Sequence, residues 1–237
     1  MEKKYCTAVV LAAGQGKRMG TKIQKQYLHI LGKPVVYYAL KAFQDSPQVD
    51  EIILVTGKDE VSFCQEEIVS LFGLSKVTAV IAGGRERYDS VEGALKVVAG
   101  NPKARDGYVM IHDGARPFVT TEIISRIWED VQRYQACTAG MPVKDTIKLA
   151  DQEGFGTETT VRSLTWQIQT PQAFAAPLIL EAYRRMRKNP CGEITDDTML
   201  AEHYMGQRVF LTKGSYENIK ITTPEDLDIA EIFVKKL

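Results

Sequence analysis

The sequence predicts an α/β fold: a mostly parallel, twisted, Rossmann-like sheet with helices on both faces and a projecting β-hairpin arm. Three observations predict it. Short, β-rich apolar runs alternate with segments of helical periodicity along the chain, and such alternation favours a parallel sheet covered on both sides. The first run, around Val9, Val10 and Leu11, stops abruptly at a small-residue loop, as a buried strand does on leaving a sheet. One stretch, residues 144–170, breaks the alternation with two β-rich pieces around a polar, glycine-containing turn, which is a hairpin pattern.

The expected strands are 7–13, 51–57, 77–83, 108–114, 137–143 and 208–212. The expected helices are 35–46, 59–72, 87–100, 121–134 and 176–188, each with apolar residues at helical spacing, and two more near 196–205 and 224–236. The last has a start signal in Thr223 as N-cap, Pro224 at the first helical position, and Glu225 and Asp226 in the first turn. Thr195 or Asp196 is expected to cap the helix before it. The hairpin reads equally as a dimer arm, a substrate wall or an edge excursion.

The 237 residues suffice for a sizeable core, and we treat 1–237 as a single domain with its arm at about 144–170. Lys plus Arg (30) equals Asp plus Glu (30), so no global field draws the chain to nucleic acid or membrane, and any positive potential is local. Cys6, Cys64, Cys137 and Cys191 are far apart and form no C-x-x-C pair. They read as reduced thiols of a cytoplasmic protein. No apolar run approaches the ~18 residues of a membrane span, and "MEKKYCTAVVLAAG" does not read as a signal peptide.

Ligands of open α/β sheets sit at the carboxyl ends of the strands. The loop after the first strand, "LAAGQGKRMG", fails both common phosphate motifs. Gly14 and Gly16 begin a G-x-G-x-x-G but Met19 ends it, and neither glycine has another five residues on, as a P-loop requires. The connection from Gly14 to Lys33 is 20 residues, against about 2–6 for an ordinary βα loop. It carries Lys17, Arg18, Lys22 and Lys25. Glycines let backbone N–H groups approach phosphate oxygens, and the cations neutralise them. The failed glycine motif and the long loop argue against a nicotinamide-dependent oxidoreductase.

These residues, with "KQYLHILGKPVVYYAL", "GGRERYDSV" (83–91), "HDGARP" (112–117), "PVKDTIK" (142–148), "TPQAF" (170–174), "ITDD" (194–197) and "NIKITTPEDL" (218–227), resemble the sugar nucleotidyltransferases over nearly the whole chain. The resemblance is to the family of 2-C-methyl-D-erythritol 4-phosphate cytidylyltransferases. It implies transfer of CMP from CTP to a polyol phosphate with release of pyrophosphate, in non-mevalonate isoprenoid synthesis. Gln24 stands where the family has proline, Gly114 is a mild change in its motif, and Arg85 stands where acidic residues also occur. A ribitol 5-phosphate cytidylyltransferase and a non-catalytic nucleotide-binding protein are the alternatives.

Such a reaction pits anion against anion. A phosphate monoester has a second pKa of about 6 and is already a nucleophile at neutral pH. No general base is required, so three scattered histidines are no obstacle. Positive charge is what the transition state lacks. The resemblance places it on Arg18 and Lys25 at the triphosphate, and on Arg162 and Lys220 at the sugar phosphate. It places CTP against Ala12, Ala13, Gly14, Gly16, Gly83, Gly84 and Ser90, with Asp113, Gly114 and Arg116 beside it. Asp113, Thr146 and Thr170 would face the polyol phosphate. Ser90 also reads as a helix cap, Arg116 as a partner fixing Asp113, and the threonines as ordinary strand residues. We see no carboxylate cluster that would cage Mg²⁺, so the ion is expected on the CTP phosphates. The resemblance also implies a homodimer, with the arms crossing between subunits and Arg162 serving the partner's site.

Overall fold

The structure, a computed structural model, describes residues 3–14 and 24–235. The first strand, β1, is Cys6–Ala12; two short strands, β2 (His29–Ile30) and β3 (Lys33–Pro34), lead into helix α1 (Val35–Asp45). Then follow β4 (Glu51–Thr56), α2 (Val61–Phe63), β5 (Val77–Ala82), α3 (Arg87–Gly100), α4 (Pro102–Arg105), β6 (Tyr108–Asp113), α5 (Thr121–Tyr134) and β7 (Ala136–Pro142). The chain continues through β8 (Lys148–Ala150), β9 (Gly156–Thr159), β10 (Trp166–Ala175), α6 (Ala176–Lys188), α7 (Asp197–Met205), β11 (Phe210–Lys213) and α8 (Glu225–Val234).

Seven strands form one sheet in the order β11-β7-β10-β6-β1-β4-β5. Its neighbours pair in parallel except where β10 runs antiparallel to both β6 and β7. The side-chain period of two divides each central strand between two cores. Ala8 and Val10 of β1 join Ile52 and Leu54 of β4 beneath α1 and α5, where Leu40, Phe43, Ile124 and Ile127 pack. Val9, Ile53 and Val55 face the opposite core, built from α3, α6 and α7 through Val91, Leu95, Ile179 and Leu200. Helix α8 closes a third, smaller cluster over β2 with Ile30, Val35, Phe118 and Ile221.

Three expectations need correction. The hairpin pairing is confined to β8 and β9, whose residues are all exposed and form a separate two-stranded sheet. From Trp166 onward the chain is already in the main sheet, as β10. Pro171, a residue that central strands rarely admit, lies where the pairing with β7 skips from Ile168 to Gln172, so the ladder asks no bond of its nitrogen. The long connection after β1 is not all loop. It contains a 3₁₀ turn, Lys25–Tyr27, and the β2–β3 hairpin, turned by Leu31 and Gly32 at positive φ. The segment expected as one helix over 59–72 is mixed, with α2 running into a π-helical stretch, Cys64–Ser70.

Asp196 caps α7 by accepting from Met199 N at 3.0 Å, and the α8 start is fixed by Asp226, whose carboxylate accepts from Thr222 N and Thr223 N. Among the described residues no helix is long and apolar enough to cross a membrane.

Candidate active site

β1 lies between β4 and β6, and the carboxyl ends of these strands open into a cavity of about 730 Å³. This is where an open α/β sheet offers its crevice. Ala13, Gly14, Lys25 and Gln26 line one side; Gly84 to Arg87 and Ser90 line another; Asp113 and Lys220 close it.

The glycine wall is shaped by close approach. β5 leaves the sheet at Ala82, and Gly83 N donates back to Thr56 O at 2.7 Å. A Cβ on Gly83 would sit 2.5 Å from Ala13 Cβ, and one on Gly84 2.2 Å from Asp89 Cβ. Only glycine fits. The buried Ser90 hydroxyl accepts from Gly84 N at 3.1 Å and donates to Glu86 O at 3.3 Å. Asp89 accepts from Glu86 N at 3.0 Å in the first turn of α3. Both side chains therefore fold the glycine turn onto the helix start.

At the end of β6, Asp113 is met by three cations. Lys220 Nζ is 2.8 Å from its carboxylate, Arg116 Nε 3.6 Å and Arg87 Nε 3.7 Å. Burial alone would raise the Asp113 carboxyl. Lys220, then Arg87 and Arg116, outweigh burial and hold it well below the usual carboxylate range. Arg87 also reaches Asp197 at 2.7 Å, and Asp197, buried at the start of α7, accepts from the Tyr183 hydroxyl at 2.6 Å. Arg116 donates to Asn218 O at 2.9 Å, pinning the segment that carries Lys220.

The turn after β6 is locked from beneath. Asp113 N donates to Thr170 Oγ1 at 3.1 Å, and Thr170 Oγ1 lies 2.9 Å from His112 Nδ1. His112 Nε2 lies 3.0 Å from Arg116 O. A carbonyl only accepts, so Nε2 carries the proton, Nδ1 accepts, and Thr170 donates. Burial pushes the imidazole down to about 4, so it is neutral. This hydroxyl–imidazole contact is not a nucleophile and its base: Thr170 is 4 % exposed and its oxygen already takes the Asp113 amide.

The structure thus brings together Ala13, Gly14, Lys25, Gly84, Ser90, Asp113 and Lys220 of the expected residues around one cavity. Ala12 contributes backbone, its methyl being buried in the core. Gly83 and Gly114 shape the turns behind, Gly114 N donating to Leu11 O at 2.8 Å. Arg116 and Thr170 support Asp113 from below. Thr146 and Arg162 are exposed at the arm and do not line the cavity of their own chain. Arg18 and Gly16 lie outside the described residues. Sequence reasoning missed Arg87 and Gln26. Arg87 lay within the quoted "GGRERYDSV" segment, just past a strand end, which was the available signal.

Chemically the site offers cations and one low-lying carboxylate. Among the described residues no group of three or more His, Cys, Asp or Glu could hold a metal ion.

The cleft is thus walled by glycine and lined by cations at the carboxyl ends of a mostly parallel sheet. The family description "IspD: 2-C-methyl-D-erythritol 4-phosphate cytidylyltransferase" matches residues 6–236. The chain is 49% identical to the enzyme of that name from Lachnospira eligens, over 97% of this chain and 99% of the other. It is 46% identical to that from Clostridium kluyveri, over 99% and 98%. The crystal structure of 4-diphosphocytidyl-2C-methyl-D-erythritol synthase from Anaerococcus prevotii superposes with a TM-score of 0.84 at 30% identity, covering 98% of this chain and 97% of that one. The chain belongs to the 2-C-methyl-D-erythritol 4-phosphate cytidylyltransferase family, and it is an enzyme of the cytidylyltransferase class.

Proposed function

We propose that this cavity binds CTP and 2-C-methyl-D-erythritol 4-phosphate and transfers CMP between them. A phosphate oxygen of the acceptor attacks the α-phosphorus of CTP. The bond from that phosphorus to the bridging oxygen breaks, and the electron pair leaves with pyrophosphate. The product is 4-diphosphocytidyl-2-C-methylerythritol. The observation that carries this reading is the meeting of Lys25, Lys220 and Arg87 at a glycine-walled cavity. The acceptor arrives ionised, so the site needs cations and no base.

Lys25, with Arg18, neutralises the triphosphate. Lys220 receives the acceptor's phosphate, and Asp113 holds Lys220 until it does. Gly84 and Ser90 face the nucleoside, with Gly83 shaping the turn behind them, and the flat base suits a wall with little side chain. CTP enters as its magnesium complex, the ion bringing further positive charge to the phosphates.

Two chains would complete each site. Arg162 stands away from its own cavity, and the arm exposes Leu149, Phe155, Val161 and Leu164, apolar side chains suited to burial against a second copy. The whole chain then works as one domain, in the cytoplasm where its free thiols stay reduced.

The test is pyrophosphate release with Mg²⁺ and CTP, with methylerythritol phosphate and D-ribitol 5-phosphate as rival acceptors and UTP and ATP as rival donors. Release confined to CTP with methylerythritol phosphate is expected. Preference for ribitol phosphate would overturn the acceptor, and CTP binding without turnover would overturn the enzyme.

A further inference from the structure

Gln26 is 2 % exposed, yet it carries a polar amide to the edge of the cavity. Its Nε2 donates to Ala12 O at 2.6 Å and to Gly14 O at 3.1 Å. Both hydrogens of the amide are therefore spent on two carbonyls that flank Ala13 where β1 ends. A carbonyl oxygen carries partial negative charge and repels phosphate. With both oxygens committed to Gln26, neither is offered to an anion in the cavity. In a trans peptide the C=O and N–H point in opposite directions, so holding the Ala12 carbonyl on Gln26 also fixes the direction of the Ala13 N–H.

The same residue sits between Lys25 and Tyr27 in a single 3₁₀ turn. Tyr27 is anchored on the far side, its hydroxyl donating to Glu60 Oε2 at 2.8 Å beside Cys64 Sγ at 3.2 Å. Lys25 is thus carried by a turn clamped to the end of β1 through Gln26 and to the start of the next connection through Tyr27.

We infer that Gln26 is a positioning residue for nucleotidyl transfer: its side-chain amide withdraws the Ala12 and Gly14 carbonyls from the anion site and sets Lys25 over the triphosphate. This rests on the reading that the cavity takes CTP.

The test uses full-length Gln26→Glu and Gln26→Met, with CTP binding measured by calorimetry apart from turnover. Gln26→Glu keeps the shape but turns a carboxylate oxygen toward two carbonyl oxygens. At pH 8 it should weaken CTP binding and lower kcat by roughly 10- to 100-fold, the usual cost of a misplaced catalytic group. The KM for methylerythritol phosphate should stay within about twofold, as the acceptor's cation, Lys220, is held elsewhere. Burial raises a carboxyl pKa, and a protonated carboxyl regains one donor. The deficit of Gln26→Glu relative to the native enzyme should therefore shrink as pH falls from 8 toward 6, and that of Gln26→Met should not.

A double-mutant cycle gives a second, independent readout, and it stands on Gln26→Met alone if the glutamate variant fails to fold. Where Gln26 acts through Lys25, Gln26→Met costs far less in a Lys25→Met background than in the native one. Full additivity, or native CTP binding in both single variants, overturns the positioning role while leaving the cavity assignment intact. Failure of the native enzyme to bind CTP overturns both.

Discussion

Replacing Arg87 with methionine should cost about 3 kcal/mol of stability, and the replacement of its partner should cost less. Arg87 and Asp197 are 2.7 Å apart, but their surroundings differ: the Asp197 side chain is 1% exposed and that of Arg87 31%. Removing one partner of a buried ion pair costs about 3–5 kcal/mol, because the other charge is left behind in a poor solvent. In Arg87→Met the charge left behind is the buried one. Asp197 keeps the Tyr183 hydroxyl at 2.6 Å and its place in the first turn of α7, where the helix dipole favours an anion, so the low end of the range applies. In Asp197→Asn the charge left behind is Arg87, which still reaches solvent and Asp113 at 3.7 Å. Its loss should stay near 1 kcal/mol, the net worth of an ordinary hydrogen bond. Adding Asp197→Asn to Arg87→Met should recover stability, since it removes the stranded charge. Urea midpoints at pH 7.5, with unchanged m, measure all three variants. A loss below about 1 kcal/mol for Arg87→Met, or no recovery in the double variant, would refute the account of this pair.

Other outcomes follow from the same site. Lys220→Met takes away the cation 2.8 Å from Asp113 and should lower turnover by about 100- to 1,000-fold, with only a modest fall in melting temperature because Arg116 and Arg87 stay 3.6 and 3.7 Å from the buried carboxylate; near-native kcat would remove Lys220 from the reaction. His112, held down to about 4 in the folded chain against 6.5 in the unfolded one, binds fewer protons when folded, so its share of stability is complete above pH 6.5 and is lost on acidification toward 4. The slope is about 1.4 kcal/mol per pH unit, and His112→Gln should flatten it. Asp113, depressed by its cations, adds a loss that begins only as pH falls below the ordinary aspartate value of about 3.9. Mixing inactive Lys25→Ala with inactive Arg162→Ala should restore about a quarter of native activity if subunits exchange at random and share sites; no recovery would return Arg162 to its own chain.

Much of this was legible in the sequence because the relevant physics is local. Strands β1, β4, β5 and β6 declare themselves as short apolar runs, and the glycine-rich loop with its lysines marks the carboxyl end of the first. Asp113 stood out because it ends such a run. β10 did not: only its start reads as strand, as the second half of a hairpin ending at residue 170, because its polar middle, Gln169, Thr170 and Gln172, lacks the apolar run of a central strand. Those side chains are buried but employed at long range: Gln169 donates to Ser215 O at 2.7 Å, Thr170 takes the Asp113 amide, and Gln172 donates to Asp196 at 3.0 Å. No periodicity announces such service. Arg87 was hidden in the same way, its meaning lying in Asp197, far along the chain on another helix.

The one antiparallel strand of the main sheet has a further consequence. β10 begins beside the arm at Trp166, passes beneath Asp113 at Thr170, and ends against β6 at Ala175. The ladder that joins β10 to β6 begins at Gln172, so gaining or losing one residue between Thr170 and that ladder would carry Thr170 out of register with Asp113 and release the Asp113 turn. The tip of the arm is under no such constraint: its turn is closed locally by Asp151, which accepts from Glu153 N and Phe155 N. Length changes are therefore tolerable at the tip and ruinous beside Thr170. Anyone grafting a new arm onto this scaffold should splice between residues 151 and 155 and leave the chain from Thr170 to Gln172 at its native length.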